Sequence, residues 1–237
     1  MRADGFAKVN LALAVYPPSA DGYHPLRGIF QSVSLRDTIE ISPSHEDAIV
    51  VSNDEAPADE TNLAWRAFAA ARGTARMVQP TTVTVTKRIP SGAGLGGGSA
   101  DAAAALGLMA KRFGIPDDEL RELAAGLGSD VPFGLAGGTC LVEGRGERLK
   151  ELPTLDSFAL AIVVPPFSIS TPEAFHRWDE LDGPTGEVFP EASLPPELRD
   201  GPPIRNDLYP ASASLDPRLD DWRSDLATRW GIPVTMT

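Results

Sequence analysis

Cysteine is nearly absent, with Cys140 the only one among 237 residues. One thiol cannot form an internal disulfide or a multi-cysteine metal site, so we expect a small core residue in a cytoplasmic protein. Long apolar runs are missing too. No stretch approaches the ~18 residues that span a bilayer, and the opening MRADGFAKVNLALAV carries Asp4 and Lys8 with no small-residue cleavage site after it. A membrane partner is therefore not expected. Basic residues are scarce beside acidic ones, 21 against 33, and the net charge of −12 repels the phosphate backbone of nucleic acid. A phosphorylated small molecule is still allowed, because a few amides and one or two lysines act locally where charge is screened over ~10 Å. What remains is 42% apolar and 23% charged, enough to bury a core and too apolar for a disordered chain. The length suits one large domain or two small ones, and no repeat period is visible.

Patterning supplies the order of elements. Phe6 to Val15, Ile29 to Ile41 and Ala48 to Ser52 read as strands, with Pro17, Pro18, Gly22 and Pro25 breaking the first gap. Residues 61–72 read as a helix that begins at Thr61 or Asn62 and stops before Gly73. Thr81 to Ile89 alternate Thr with Val as a strand, a glycine loop follows Pro90, and an alanine-rich helix runs from about Ala100 to Phe113. Leu120, Leu123, Ala124 and Leu127 mark one more helix, capped by Asp117 and closed by Gly128. Thr139 to Leu149 reads as a hairpin turning at Gly144 and Gly146, and Phe158 to Val164 as a buried strand. Residues 183–204 hold six prolines and suit a long surface loop; Asp216 to Trp230 reads as a helix, and GIPVTMT as a strand just beginning. A domain boundary is expected at about 155–165.

The loop Pro90-Ser91-Gly92-Ala93-Gly94-Leu95-Gly96-Gly97-Gly98-Ser99 lies between a strand and a helix. Its amides thus fall where a helix N-terminus adds about half a positive charge, and glycines let backbone N–H groups converge on an anion without a Cβ in the way. A flexible connector is the bland alternative, which the tight flanks disfavour. Gly92, Gly94 and Gly97 satisfy the dinucleotide spacing. The acidic residues about 20 positions on, Asp117 and Asp118, cap a helix instead of ending a strand, so that reading fails. The ATPase P-loop fails as well, since Gly98-Ser99 has no preceding lysine.

With Ala100-Asp101 added, the loop from Pro90 resembles the ATP-phosphate loop of the GHMP kinases, a family of small-molecule kinases. Ala7-Lys8-Val9-Asn10-Leu11, Asp21-Gly22-Tyr23-His24 followed by Phe30-Gln31, and Gly128-Ser129-Asp130-Val131-Pro132-Phe133 match in the same order. Together, over residues 5 to about 180, they are similar to the branch of isoprenoid biosynthesis whose acceptor alcohol carries cytidine diphosphate. The resemblance implies an α+β, two-domain GHMP kinase fold: a ribosomal protein S5 domain 2-like N-terminal domain over 1–158, which binds ATP, and a ferredoxin-like C-terminal domain over 159–237. The second is expected to be truncated, because a third, Gly-Ser-Gly-Pro-like motif should begin where the chain reads Thr235-Met236-Thr237. Exposed strand edges and poor solubility would follow.

The resemblance further implies ATP as phosphoryl donor with Mg²⁺ on the nucleotide, a cytidine diphosphate-linked small molecule as substrate, no nucleic-acid or membrane partner, and a monomer or weak homodimer. It makes Asp130 the catalytic base, Lys8 its neighbouring cation and Asn10 a substrate-orienting group. Pro90, Gly92, Ala93, Gly94, Leu95, Gly96, Gly97, Gly98 and Ser99 would hold the nucleotide, with Asn62 near the adenine and Lys87 beside the loop. Tyr23, His24, Thr171 and Phe175 would receive the cytidine, the two aromatics stacking on either side of the base. Taken singly the same letters have plainer readings: a helix cap for Asp130 and Asn62, solvated lysines for Lys8 and Lys87, packing aromatics for Tyr23 and Phe175. Two rivals stand beside this reading, a sibling kinase acting on homoserine or mevalonate and a nucleotide-binding shell without catalysis.

Overall fold

The computed structural model describes residues 1–75, 79–153, 158–183, 205–232 and 234–237. They form an α+β chain with strands β1 (Arg2–Val15), β2 (Leu26–Pro43), β3 (Ala48–Val51), β4 (Thr81–Thr86), β5 (Thr139–Gly144), β6 (Arg148–Glu151) and β7 (Arg205–Asn206). The helices are α1 (Leu63–Thr74), α2 (Gly97–Phe113), α3 (Asp117–Leu127), α4 (Val131–Ala136), α5 (Thr171–Glu180), α6 (Tyr209–Leu215) and α7 (Arg218–Trp230). Contacts divide the chain into two compact units, one of Met1–Val9 with Ser32–Gly138, the other of Asn10–Gln31 with Thr139–Thr237.

In the first unit β4 pairs parallel with β3, Ala48 to Val51 against Thr82 to Val85, and antiparallel with β2, Thr38 to Pro43 against Thr86 to Thr81. Met1 joins the edge by exchanging backbone bonds with Ile41. The Thr/Val alternation of β4 turns Val83 and Val85 into the core with Ile39, Ile41, Phe68, Leu106 and Met109, as a half-covered pleat requires. Asn62 caps α1, its side chain accepting from Ala64 N. Alanines along α2 let neighbours come close: a Cβ added to Gly134 of α4 would stand 2.7 Å from that of Ala103.

In the second unit Leu26–Gln31 of β2 pairs antiparallel with β5, which turns through Gly144 and Gly146 into β6. β7 adds parallel to β1 at Ala12 and Leu13, and Asp207 beside it accepts from Val15 N at 3.1 Å. Two expectations need correcting here. Phe158 to Val164 forms no strand and is largely exposed; an apolar run becomes a buried strand only with a partner beside it, and none stands there among the described residues. Residues 234–237 are likewise not a strand, although Thr237 Oγ1 accepts from Asn10 N at 2.6 Å. The proline-rich stretch lies, save for Gly183, outside the described residues. No described helix is long and apolar enough to cross a membrane.

Candidate active site

Lys8 stands in β1 of the first unit, buried among apolar neighbours, and its N–H donates to Leu95 O at 3.0 Å. That bond ties the strand to the glycine turn. The Lys8 ammonium lies 3.8 Å from Asp130 Oδ2. Burial pushes its pKa below the ordinary lysine value, and the charge of Asp130 pulls it partly back. Asp130 occupies the N-cap position of α4, as a lone aspartate after Gly-Ser suggests, yet its side chain makes no capping bond. The carboxylate is turned toward Lys8 instead.

The turn meets this pair at Gly96. Its φ is +68°, a left-handed conformation that glycine adopts freely, and a Cβ built there would come 3.0 Å from Lys8 Cγ and 3.6 Å from Asp130 Oδ2. Gly92 and Gly94 also have positive φ, and a Cβ at Gly92 would meet nothing within 4 Å, so the turn is open there. α2 begins at Gly97, three residues before the alanine run, so Gly97, Gly98 and Ser99 form its first turn. The first helical bond runs from Ala100 N to Gly96 O at 2.9 Å. The three preceding amides come before the helical ladder, which makes them the donors a helix N-terminus offers an anion. Pro90 and Ala93 are half-buried and Leu95 is buried; Ser91 is held by Glu55.

Lys87 and Asn62 are both buried and engaged. Asn62 caps α1 and donates Nδ2 to Pro57 O at 2.8 Å, and the Lys87 ammonium bonds Asp37 Oδ2 at 2.5 Å and Asp101 Oδ2 at 2.9 Å. Sequence reading missed Asp37 and Asp101 as a cluster. Asp101 stands two residues past Ser99, but Asp37 is remote in sequence and only the β2–β4 pairing brings it close.

The aromatic residues belong to the second unit, as does Asn10, which is buried on β1. Tyr23 sits on a turn closed by Ser19 N to Tyr23 O at 2.9 Å and Tyr23 N to Asp21 Oδ1 at 3.1 Å, and it is 58% exposed. The Arg145 guanidinium lies over its ring, 4.0 Å from the centroid, and is paired with Asp21. His24 has Nδ1 3.0 Å from Tyr16 O and Nε2 3.2 Å from Asp179 Oδ2. Its ring packs on Phe175 at 5.1 Å and edge-on against Trp178 at 5.5 Å. Thr171, exposed, opens α5 after the Ser170 cap, and Phe175 lies one turn on. The structure thus brings His24 and Phe175 into contact and gives Tyr23 a cation for a neighbour. Arg145, Trp178 and Asp179 carried no signal in the sequence. Cys140 is buried, and burial, with the charge of Glu151, pushes its thiol up to about 11.

The family model for the GHMP kinases N terminal domain matches residues 62–138, the stretch that holds the glycine turn and Asp130, and the chain is a GHMP kinase. It is 35% identical to the 4-diphosphocytidyl-2-C-methyl-D-erythritol kinase of Carboxydothermus hydrogenoformans over 98% of this chain and 83% of that protein. To the enzyme of the same name from Nocardia farcinica it is 40% identical, over 90% of this chain and 74% of that one. A crystal structure of 4-(cytidine 5'-diphospho)-2C-methyl-D-erythritol kinase superposes with a TM-score of 0.78 at 33% identity, over 96% of this chain and 83% of that one. The chain belongs to the 4-diphosphocytidyl-2-C-methyl-D-erythritol kinase family.

Proposed function

We propose that this chain transfers the γ-phosphoryl group of ATP to the 2-hydroxyl of 4-diphosphocytidyl-2-C-methyl-D-erythritol, in the non-mevalonate isoprenoid pathway. The observation that carries it is the meeting of Asp130, Lys8 and the glycine turn at Gly96. In the reaction the acceptor oxygen forms a bond to the γ-phosphorus while the bond from that phosphorus to the β,γ-bridging oxygen breaks, and ADP leaves. Asp130 takes the hydroxyl proton. Lys8 offsets the charge that grows on the attacking oxygen, and the amides from Gly92 to Ser99 hold the phosphates, both forms of preorganised electrostatic stabilisation. Mg²⁺ is bound by few protein oxygens when it rides on phosphates, so the half-buried Ser99 hydroxyl at the helix start fits it and would hold it. Bound there, it would neutralise phosphate charge. Asn10 orients the acceptor, and Tyr23, His24, Thr171 and Phe175 receive the cytidine. We take the protein to act in the cytoplasm as a monomer or weak homodimer.

The test is single-turnover transfer of labelled γ-phosphate to the cytidyl alcohol, with homoserine and mevalonate as competing acceptors. Label on the cytidyl alcohol alone is the expected result. ATP bound with no label on any acceptor would leave a non-catalytic shell. Stacking on an aromatic contributes ~1–3 kcal/mol per base, so Tyr23→Ala should raise KM for the acceptor roughly ten-fold and leave KM for ATP unchanged. Equal rises in both would remove Tyr23 from the acceptor site.

Lys8 also predicts a pH dependence. The ammonium form is the active one, so kcat/KM should fall as pH rises through a pKa below the ordinary 10.5. Lys8→Arg, which keeps its charge, should lose that alkaline limb. Stability runs the other way. The folded state gives up this proton more easily than the unfolded chain, so between the lowered value and 10.5 the unfolded state binds more protons and unfolding becomes harder as pH rises. An alkaline limb that persists in Lys8→Arg would assign it to another group.

A further inference from the structure

The cluster formed by Lys87, Asp37 and Asp101 is the most deeply buried group of charges among the described residues of the first unit, with side chains 2%, 0% and 2% exposed. Asp37 grips the end of β4. Its Oδ2 accepts from Lys87 Nζ at 2.5 Å, while Oδ1 accepts from Arg88 N at 2.5 Å and Ile89 N at 2.9 Å. One carboxylate therefore holds three consecutive residues, the last of them next to Pro90. Asp101 is in the opening turns of α2, and its Oδ2 takes the other bond from Lys87 at 2.9 Å. Between these ends lies the turn, and Gly97 rests on the cluster: a Cβ there would stand 3.0 Å from Ile89 Cγ2 and 3.2 Å from Lys87 Nζ.

We propose that Lys87 is a positioning residue, which fastens both ends of the glycine turn by bridging Asp37 and Asp101 and so sets the shape in which its amides meet an anion. The inference rests on the reading of that turn as the ATP site. Two observations argue against a role in stability alone. Buried ion pairs contribute little net stability compared with well-packed apolar groups of the same volume. The arrangement also leaves Asp101 Oδ1 buried with no hydrogen-bond partner, an unfavourable state. Burial pushes the Asp101 carboxyl up to about 7 even though the charge of Lys87 pulls it down. A carboxylate held under such strain fits a geometric task, since a turn whose amides are ordered before binding loses less entropy when the ligand arrives. The deep burial of the ammonium, bonded to two carboxylates, also argues that it acts through the turn and not by touching phosphate.

The experiment uses Asp101→Asn alone and the double variant Lys87→Met with Asp101→Asn, which leaves only Asp37, already bonded to two amides. ATP affinity is measured by titration calorimetry, acceptor KM by kinetics, and order in the turn by hydrogen exchange at Gly92 to Gly98. The double variant should bind ATP roughly ten-fold more weakly with acceptor KM unchanged. Turn amides should exchange about ten-fold faster while those of α1 keep their protection. Unchanged exchange in the turn overturns the proposal, and so does unchanged ATP affinity of the variants when the wild type binds ATP. A wild type that binds no ATP overturns the ATP reading instead, and the exchange rates then decide the positioning role by themselves.

Discussion

Asp130→Asn should lower the single-turnover rate of phosphoryl transfer by about 10²–10⁴-fold, the usual contribution of a positioned general base, with ATP binding altered only a few-fold. Asparagine keeps the shape and cannot accept the proton. The position is favourable for a clean experiment, because Asp130 is an N-cap whose side chain makes no capping bond and its replacement removes no support from α4. It does remove the charge that pulls the Lys8 pKa upward, so the buried ammonium becomes harder to keep and part of the loss belongs to Lys8. Lys8→Met beside it separates the two: it should cost about 10²–10³-fold through lost stabilisation of the attacking oxygen. The double variant should fall no further than Asp130→Asn, as groups acting as one unit do. Rapid-quench measurement of transferred label decides the matter, and an Asp130→Asn rate within three-fold of wild type would remove Asp130 as the base.

What the sequence made legible was local. The Thr/Val alternation of β4, the glycine turn, the alanine run of α2 and the Asn62 cap are each written within a few consecutive residues, and each stands where it was read. α2 begins at Gly97, where glycines that look like loop by propensity form its first turn, and a Cβ there would crowd Ile89 at Gly97 and Leu63 at Gly98. β7 and α6 escaped notice since a two-residue strand and a seven-residue helix with proline near its start have no period to detect. Phe158 to Val164 shows the limit most clearly: hydrophobicity says that a segment would gain from burial, and the rest of the fold decides whether there is anything to bury it against. The site divides in the same way. Asp130 could be read as a cap from its neighbours, whereas the turn of its carboxylate toward Lys8 depends on β1 reaching the glycine turn through Leu95 O. Only the resemblance of several motifs joined those residues in advance. The engagement of Lys87 by two carboxylates and of Tyr23 by Arg145 has no local signature at all.

Gly96→Ala is the second substitution from which a large effect is expected, and its cause can be split in two. A φ of +68° disfavours any residue with a Cβ, which costs roughly 1–2 kcal/mol at a left-handed position. The new Cβ would also stand 3.0 Å from Lys8 Cγ and 3.5 Å from Lys8 Cε, and Lys8, buried on β1 and tied to Leu95 O, has little room to yield. Gly114 isolates the first contribution, for it has φ +69° at the end of α2 and a Cβ there meets nothing within 4 Å. Gly114→Ala should therefore lose roughly 1–2 kcal/mol in denaturant unfolding and keep the wild-type kcat, while Gly96→Ala should lose more than that because its Cβ also meets Lys8. Gly96→Ala should lose about 10²-fold in kcat, the scale on which a 1 Å displacement of a catalytic group acts, because the methyl pushes the Lys8 ammonium away from the carboxylate it faces. If Gly96→Ala unfolds as easily as Gly114→Ala and still turns over within two-fold of wild type, the turn and the Lys8–Asp130 pair do not form one site, and the assignment of that pair to phosphoryl transfer fails with it.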